Sequence, residues 1–345
     1  MCNIGIKMSE IIKSIIEKAL FEPLSTKMAE TAFNEIMSGN ATDAQIAGFL
    51  VALKMRGETQ KEIYAATKVM LKKCASVNAP KGAVDIVGTG GDGVGTLNIS
   101  TAAALVVASA GAIVAKHGNK NISSNSGAAN VLDKLGINIH AKPTVVEKCI
   151  RNANIGFMMA PIHHPAVKYV MPTRQSLGIR TIFNILGPLT NPAKVKYHLI
   201  GAYDNALLAP MAKTLNDIGS TRAWVVHGED GTDEISITGK TEVVELANGK
   251  FSSFTVSPMD AGLPIHPLET ILGGSPDKNA EAIKHLLAGD KSPYRDAVLF
   301  NSAAALLIAG YVKDLRQGVQ KAKKAIDTGQ TANTIAKLAK ESWSE

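Results

Sequence analysis

Apolar positions recur at helical spacing in the first quarter of the chain. Ile11, Ile12, Ile15, Ile16, Ala19 and Leu20 form one stripe, and two capping boxes follow it, Thr42-x-x-Gln45 and Thr59-x-x-Glu62, in which side chains satisfy the free amides of a helix start. Gly39 and Gly57 stand where those helices end. The pattern changes after Ala79-Pro80-Lys81-Gly82. From there short apolar β-type runs alternate with helical ones: Val84 to Val87, a helix from Ser100, Ile113 to Ala115, a helix from Gly127 to Leu135, another from Val145, Ile155 to Ala160, Leu199 to Ala202, a helix from Leu207, and Ala223 to Val226. Strand and helix in alternation predict a largely parallel sheet with helices on both faces. From Asn279 onward the pattern is again mostly helical. The expectation is an α/β protein: a small all-helical domain over residues 1–76 and a larger α/β domain over 77–345 with a mostly parallel central sheet.

One stretch imitates a membrane span. Gly93 to Ala115 carries no charged side chain, and about 20 apolar residues suffice to cross a bilayer. Polar Asn98, Ser100 and Thr101 and the break at Gly111 predict instead a buried helix followed by a buried strand. A chain of 345 residues that is 46% hydrophobic and 19% charged is composed like a globular protein, so no membrane partner is expected. The N-terminus leads into an amphipathic helix with Glu10 and Glu17 and lacks the layout of a signal peptide. The three cysteines, Cys2, Cys74 and Cys149, lie too far apart for metal-ligand spacing and are odd in number, so a cytoplasmic protein is expected. The net charge of +7 favours an anionic ligand without saying which.

The chemistry begins at Gly88-Thr89-Gly90-Gly91-Asp92-Gly93, which follows a strand and precedes a helix. Glycines there let the backbone approach a ligand, and the helix start offers free amides to an anion. The loop also fits the dinucleotide pattern G-x-G-x-x-G, and a tight turn would use the same residues. A dinucleotide site wants an acidic residue roughly 20 positions on, to hold the ribose hydroxyls. None stands between Asp92 and Asp133, whereas Lys116, His117, Lys120 and many hydroxyl and amide side chains do. That strip suits a ligand with several phosphates. A second loop, Lys116 to Gly127, also joins a strand to a helix, so both can converge on one crevice of a parallel sheet. For His117 alone a structural hydrogen bond is the simpler role.

Carboxylates cluster after the strand Ala223 to Val226, in His227-Gly228-Glu229-Asp230-Gly231-Thr232-Asp233-Glu234. Magnesium binds through one or two carboxylates plus substrate phosphates, so Asp233 and Glu234 are candidates to hold it, although a solvated acidic turn reads the same. Arg174 or Arg180 offers the planar fork that grips a carboxylate.

Together, Gly88-Thr89-Gly90-Gly91-Asp92, Asn98-Ile99-Ser100-Thr101, Lys116-His117-Gly118-Asn119, Arg180-Thr181-Ile182-Phe183-Asn184 running to Gly187-Pro188-Leu189-Thr190-Asn191-Pro192, and Asp233-Glu234 resemble the anthranilate phosphoribosyltransferase family over nearly the whole chain. The resemblance implies the two-domain fold shared with nucleoside phosphorylases, with residues 166–190 joining the helical domain in space, and a homodimer. It also implies transfer of a phosphoribosyl group from 5-phosphoribosyl 1-diphosphate to anthranilate in tryptophan biosynthesis, with Mg2+. By position, Gly88, Gly91, Asp92, Thr96, Asn98, Ser100, Thr101, Lys116 and Ser124 would contact the phosphoribosyl diphosphate. Ser100, Asp233 and Glu234 would hold magnesium, and Gly88, Asn119, Arg174 and His164 would meet anthranilate, with Lys116, Asp233 and Glu234 as the catalytic set. The second loop departs from the family's Ser-Gly-Ser-x-Asp, reading Ser126-Gly127-Ala128-Ala129-Asn130, which removes one hydroxyl and one carboxylate.

Two rivals follow. A pyrimidine nucleoside phosphorylase binds phosphate at a comparable loop, but Asp92, Asn119 and Arg174 count against it. A nucleic-acid-binding relative would use the basic surface and Lys321, Lys323 and Lys324, yet would have no use for the metal and substrate set, so a nucleic-acid partner is not expected.

Overall fold

The structure, a computed structural model, describes residues 10–120 and 126–344. Four helices open the chain: α1 (Glu10–Ala19), α2 (Thr26–Met37), α3 (Asp43–Arg56) and α4 (Gln60–Lys73). Both expected capping boxes close. Thr42 Oγ1 accepts from Gln45 N and Gln45 Oε1 from Thr42 N, and Thr59 and Glu62 repeat the exchange at the start of α4. Glu62 does more than cap. It is fully buried, and its Oε1 also accepts from Leu24 N at 2.9 Å and from the Arg56 guanidinium at 2.5 Å, tying three segments of the bundle to one carboxylate.

The rest of the chain winds a sheet. In order come β1 (Val84–Gly88), α5 (Ile99–Ser109), β2 (Val114–Gly118), α6 (Ala128–Lys134), α7 (Pro143–Ala153), β3 (Ile155–Met159), α8 (Ala160–His163), α9 (Met171–Leu177), α10 (Phe183–Leu189), β4 (Tyr197–Gly201), α11 (Leu208–Asp217) and β5 (Arg222–Gly228). The hairpin β6 (Thr241–Ala247) and β7 (Lys250–Val256) follows, then α12 (Pro276–Leu287), α13 (Pro293–Ile308), α14 (Leu315–Asp327) and α15 (Gln330–Ser342). The seven strands lie in the order β3-β2-β1-β4-β5-β6-β7. β1 to β5 run parallel, and β6 and β7 turn back antiparallel. The uncharged stretch is α5 and the first residues of β2, nearly all buried, and no described helix is long and apolar enough to cross a membrane.

Alternation along the strands splits the core between the two faces. Ile86, Leu199, Trp224 and Val226 pack against α5 and α13, while Ile200, Ala202, Ala223 and Val225 face the other way. On that second face they share one apolar cluster with Phe33, Phe49 and Leu53 of the bundle and with Val170, Ile182, Ile185 and Leu186 of the returning segment. The helical domain is therefore seated on the sheet through a continuous core.

Candidate active site

Parallel strands send their carboxyl ends one way. β1, β2 and β5 end in Gly88, Gly118 and Gly228, and the order of strands reverses at β1, the position at which open α/β sheets take ligands. The loops that follow these three strands line one cavity of about 210 Å3, bounded by Gly88, Gly91, Asp92, Thr96, Asn98, Ser100, Lys116, Asn119, Asp233 and Glu234. Of the residues expected at the phosphates, Thr101 is not among these. It is 1% exposed inside α5, where it packs in the helix core, one position round from the wall that Ser100 forms. Ser124 lies outside the described residues.

Two contacts bring the acidic loop onto the glycine loop. Asp233 Oδ2 accepts from Gly90 N at 2.6 Å, and Glu234 Oε1 accepts from Ser100 N at 3.0 Å, at the first turn of α5. Glycine is required for this approach. A Cβ on Gly88 would stand 2.3 Å from Asp233 Oδ2, and one on Gly201 1.5 Å from the Asp233 carbonyl oxygen. Asp92 joins the cluster, since its Oδ2 accepts from Asp233 N at 3.4 Å. Burial, reinforced by Asp92 and Glu234, raises the Asp233 pKa well above the carboxylate range. Burial raises that of Glu234 as well, against the pull of Lys116.

Lys116 is 2% exposed on β2, and its ammonium donates to Ile86 O at 2.5 Å. Burial lowers its pKa, while Asp85, Glu234 and Asp233 favour the charged form. Asp85 is a residue that sequence reasoning passed over. Fully buried beneath the cavity, it accepts from His117 N at 3.1 Å and from Asn191 Nδ2 at 2.7 Å, and burial lifts its pKa to about 6. A polar residue inside an apolar strand was its one trace in the sequence.

A second, more apolar cavity of about 770 Å3 shares Gly88, His117, Asn119 and Asn184 with the first, and it is walled by Met159, Pro161, His164, Met171, Arg174, Phe183 and Pro188. Arg174 stacks over the Phe183 ring at 5.6 Å and has no carboxylate partner among the described residues, so burial lowers its pKa without compensation. Arg180 is exposed over the Tyr203 ring and lines the outer mouth. His117 and His164 meet edge to face at 5.1 Å. The structural bond expected of His117 is present, from Nδ1 to Gly187 O at 3.1 Å, yet the ring also walls both cavities. A donating Nδ1 leaves Nε2 as an acceptor, which is buried and has no partner among the described residues. Burial holds both rings neutral, lowering the pKa of His164 to about 4.

A glycine loop at the head of a helix, a buried lysine and a facing acidic pair, opening into an apolar cavity with an arginine that has no carboxylate partner among the described residues, describe a transferase that moves a phosphorylated group onto a small carboxylate-bearing acceptor. The helical bundle domain of the glycosyl transferase family matches residues 9–74, and its α/β domain matches residues 80–332. The anthranilate phosphoribosyltransferase of Rhodospirillum rubrum is 52% identical over 328 residues, which are 95% of this chain and 94% of the relative. That of Bradyrhizobium is 51% identical, over 95% and 97%. The solved anthranilate phosphoribosyltransferase of Thermus thermophilus superposes with a TM-score of 0.91 at 38% identity, covering 97% of this chain and all of its own. That of Saccharomyces cerevisiae, in complex with PRPP and Mg, has a TM-score of 0.89 at 30% identity, covering 97% and 99%. The chain belongs to the anthranilate phosphoribosyltransferase family.

Proposed function

We propose that the protein transfers the phosphoribosyl group of 5-phosphoribosyl 1-diphosphate to the amine of anthranilate, giving N-(5-phosphoribosyl)anthranilate and diphosphate, a step of tryptophan biosynthesis. The observation that carries this reading is the pairing of cavities: the polar one, with Lys116, Asp233 and Glu234, opens through Gly88 and Asn119 into the apolar one that holds Arg174. The diphosphate end would lie against the glycine loop, Asn98 and Ser100, and anthranilate would lie beside His164 with its carboxylate on Arg174.

The acidic set fits magnesium. Asp92, Asp233 and Glu234 crowd together with two of the three pKa values raised, so a cation would relieve them, and Ser100 stands beside Glu234. Magnesium binds through one or two carboxylates plus substrate phosphates, so the protein need not close a metal shell by itself. When bound, magnesium would neutralise charge on the diphosphate.

The chain's own residues do the rest. Lys116 offers its ammonium to the charge that grows as the bond from the ribose carbon to diphosphate breaks, a preorganised electrostatic contribution in a dry site. Arg174 and the apolar wall hold the aromatic ring so that its amine faces that carbon, converting an encounter into a positioned attack. The amine is already unprotonated at neutral pH, so it needs no strong base. The proton it sheds can leave with the departing diphosphate.

A homodimer fits the exposed apolar side chains Ile11, Leu20, Phe21 and Met55 of the helical domain, and a cytoplasmic, reducing setting fits the free thiols of Cys74 and Cys149. Mixing protein, anthranilate, phosphoribosyl diphosphate and magnesium and following the loss of anthranilate fluorescence tests the activity. Constant fluorescence, with phosphorolysis of thymidine or uridine instead, would replace this reading with the phosphorylase one.

A further inference from the structure

Asn98 starts α5 without capping it. An asparagine at this position ordinarily accepts a bond from an amide in the first turn, but no such bond is present, and Glu234 takes Ser100 N in its place. The Asn98 amide is directed elsewhere. Its Oδ1 accepts from Asn279 Nδ2 at 2.8 Å and from Ser126 Oγ at 3.3 Å, and its Nδ2 donates to Ser126 O at 3.2 Å. The Tyr294 hydroxyl donates to the Asn98 carbonyl at 3.1 Å. Asn279, on α12, and Tyr294, on α13, are 1% and 4% exposed.

The same C-terminal segment grips the glycine loop just before Asn98. Leu97 N donates to Ile271 O and Gly273 N to Gly95 O, both at 2.9 Å, and Thr96 bridges to Leu272. Gly273 lies so close that a Cβ there would stand 2.7 Å from Thr96 O. Asn279 Oδ1 completes the strap by accepting from Gly274 N at 2.9 Å. On α13, Asn301 treats the acidic loop in the same way, exchanging two bonds with the backbone of Ile235, next to Glu234.

We propose that Asn279 and Tyr294 are positioning residues for phosphoribosyl diphosphate: they fix the rotation and height of Asn98, and through it the spacing of the first and second loops. This rests on the site reading under Proposed function. The donor and acceptor pattern gives the reason. With two donors on Asn98 Oδ1, its Nδ2 is held toward Ser126, and among the described residues its remaining N–H has no acceptor, so it can serve the cavity that Asn98 lines. Loss of the Asn279 donor frees the amide to rotate by half a turn.

Asn279→Asp separates positioning from mere support. It keeps an acceptor for Gly274 N but sets an oxygen against Asn98 Oδ1. The KM for phosphoribosyl diphosphate should rise about tenfold in N279D and several-fold in Y294F, the scale of one lost hydrogen bond, with the KM for anthranilate near that of the unaltered protein in both and the thermal midpoint near it in Y294F. Y294F removes only a hydroxyl and keeps the test open if N279D folds poorly. If both variants keep the KM of the unaltered enzyme, or if both substrates weaken together along with the midpoint, the positioning role is overturned. An unaltered protein with no turnover would instead sink the site reading itself.

Discussion

Asp233 and Glu234 sit where carboxylates are least comfortable, buried beside each other and beside Asp92, and each is held there by one backbone amide. Replacing both with alanine should lower turnover by on the order of 100-fold or more, because the cation they would hold against the diphosphate end is lost with them. Turnover unchanged at saturating magnesium would remove the metal-holding role. On the proposed function, Arg174 serves the other substrate. Arg174→Ala should raise the KM for anthranilate by roughly tenfold to a hundredfold, the worth of a charge-assisted bond, and leave that for phosphoribosyl diphosphate near its starting value. A rise in both KM values would show that Arg174 shapes the cavity rather than grips a carboxylate. That these loops meet at one site was legible because each carried a residue type in a telling place: glycines after a strand, an acid-free strip, a carboxylate cluster. Asp85, Asn279 and Tyr294 were not, since each acts through bonds to residues far away in the chain, and a lone polar residue in an apolar run does not say what it meets.

At the scale of elements, caps were the most readable features. Thr42 and Thr59 begin helices as their spacing predicted, but nothing local announced that Glu62 would also receive Leu24 N and Arg56. Glu62→Ala takes the carboxylate partner from the largely buried Arg56 guanidinium, which keeps two carbonyl acceptors, and leaves the buried Leu24 amide unpaired, so it should cost about 3 kcal/mol of stability, read as a lowered thermal midpoint. A midpoint unchanged within error would mean that the contact is dispensable. The β6–β7 hairpin shows the opposite kind of oversight. Asn248-Gly249, at φ of 51° and 80°, forms the two-residue turn that joins antiparallel strands, and that dipeptide is a strong hairpin signal. It was overlooked because β7, Lys250 to Val256, is an edge strand rich in hydroxyls that lacks the apolar run of a buried strand.

Across the whole molecule, the two domains looked separable in sequence because their periodicities differ, yet one apolar cluster runs through both. Periodicity reports which face of an element is apolar and not what that face meets. Among the buried groups on this face of the sheet is His198, 2% exposed, whose Nε2 donates to Val195 O and whose Nδ1 is unpaired. Burial lowers its pKa from 6.5 to about 4. The unfolded chain therefore takes the proton first, so the stabilising contribution is complete above pH 6.5 and is lost as pH falls toward 4, by on the order of 3 kcal/mol in all. Asp85, raised to about 6, acts in the opposite sense, so the difference between two proteins is the clean measure. Between pH 6.5 and 4.5 the thermal midpoint of the unaltered protein should fall faster than that of H198Q. Parallel curves would rule this histidine out as a source of acid sensitivity.

The seating of Asp233 on Gly90 N and of Glu234 on Ser100 N also bears on selectivity. Donors that would otherwise welcome any oxyanion are already matched by carboxylates of the same chain, so admitting a phosphorylated ligand is an exchange of one anion for another. Sulfate or inorganic phosphate arrives with charge alone and leaves the displaced carboxylates uncompensated in a dry pocket. A chelating diphosphate brings a cation for them to turn to. On the proposed function, the contact that caps α5 would make the pocket a filter that admits metal-bearing diphosphates and turns away simple anions.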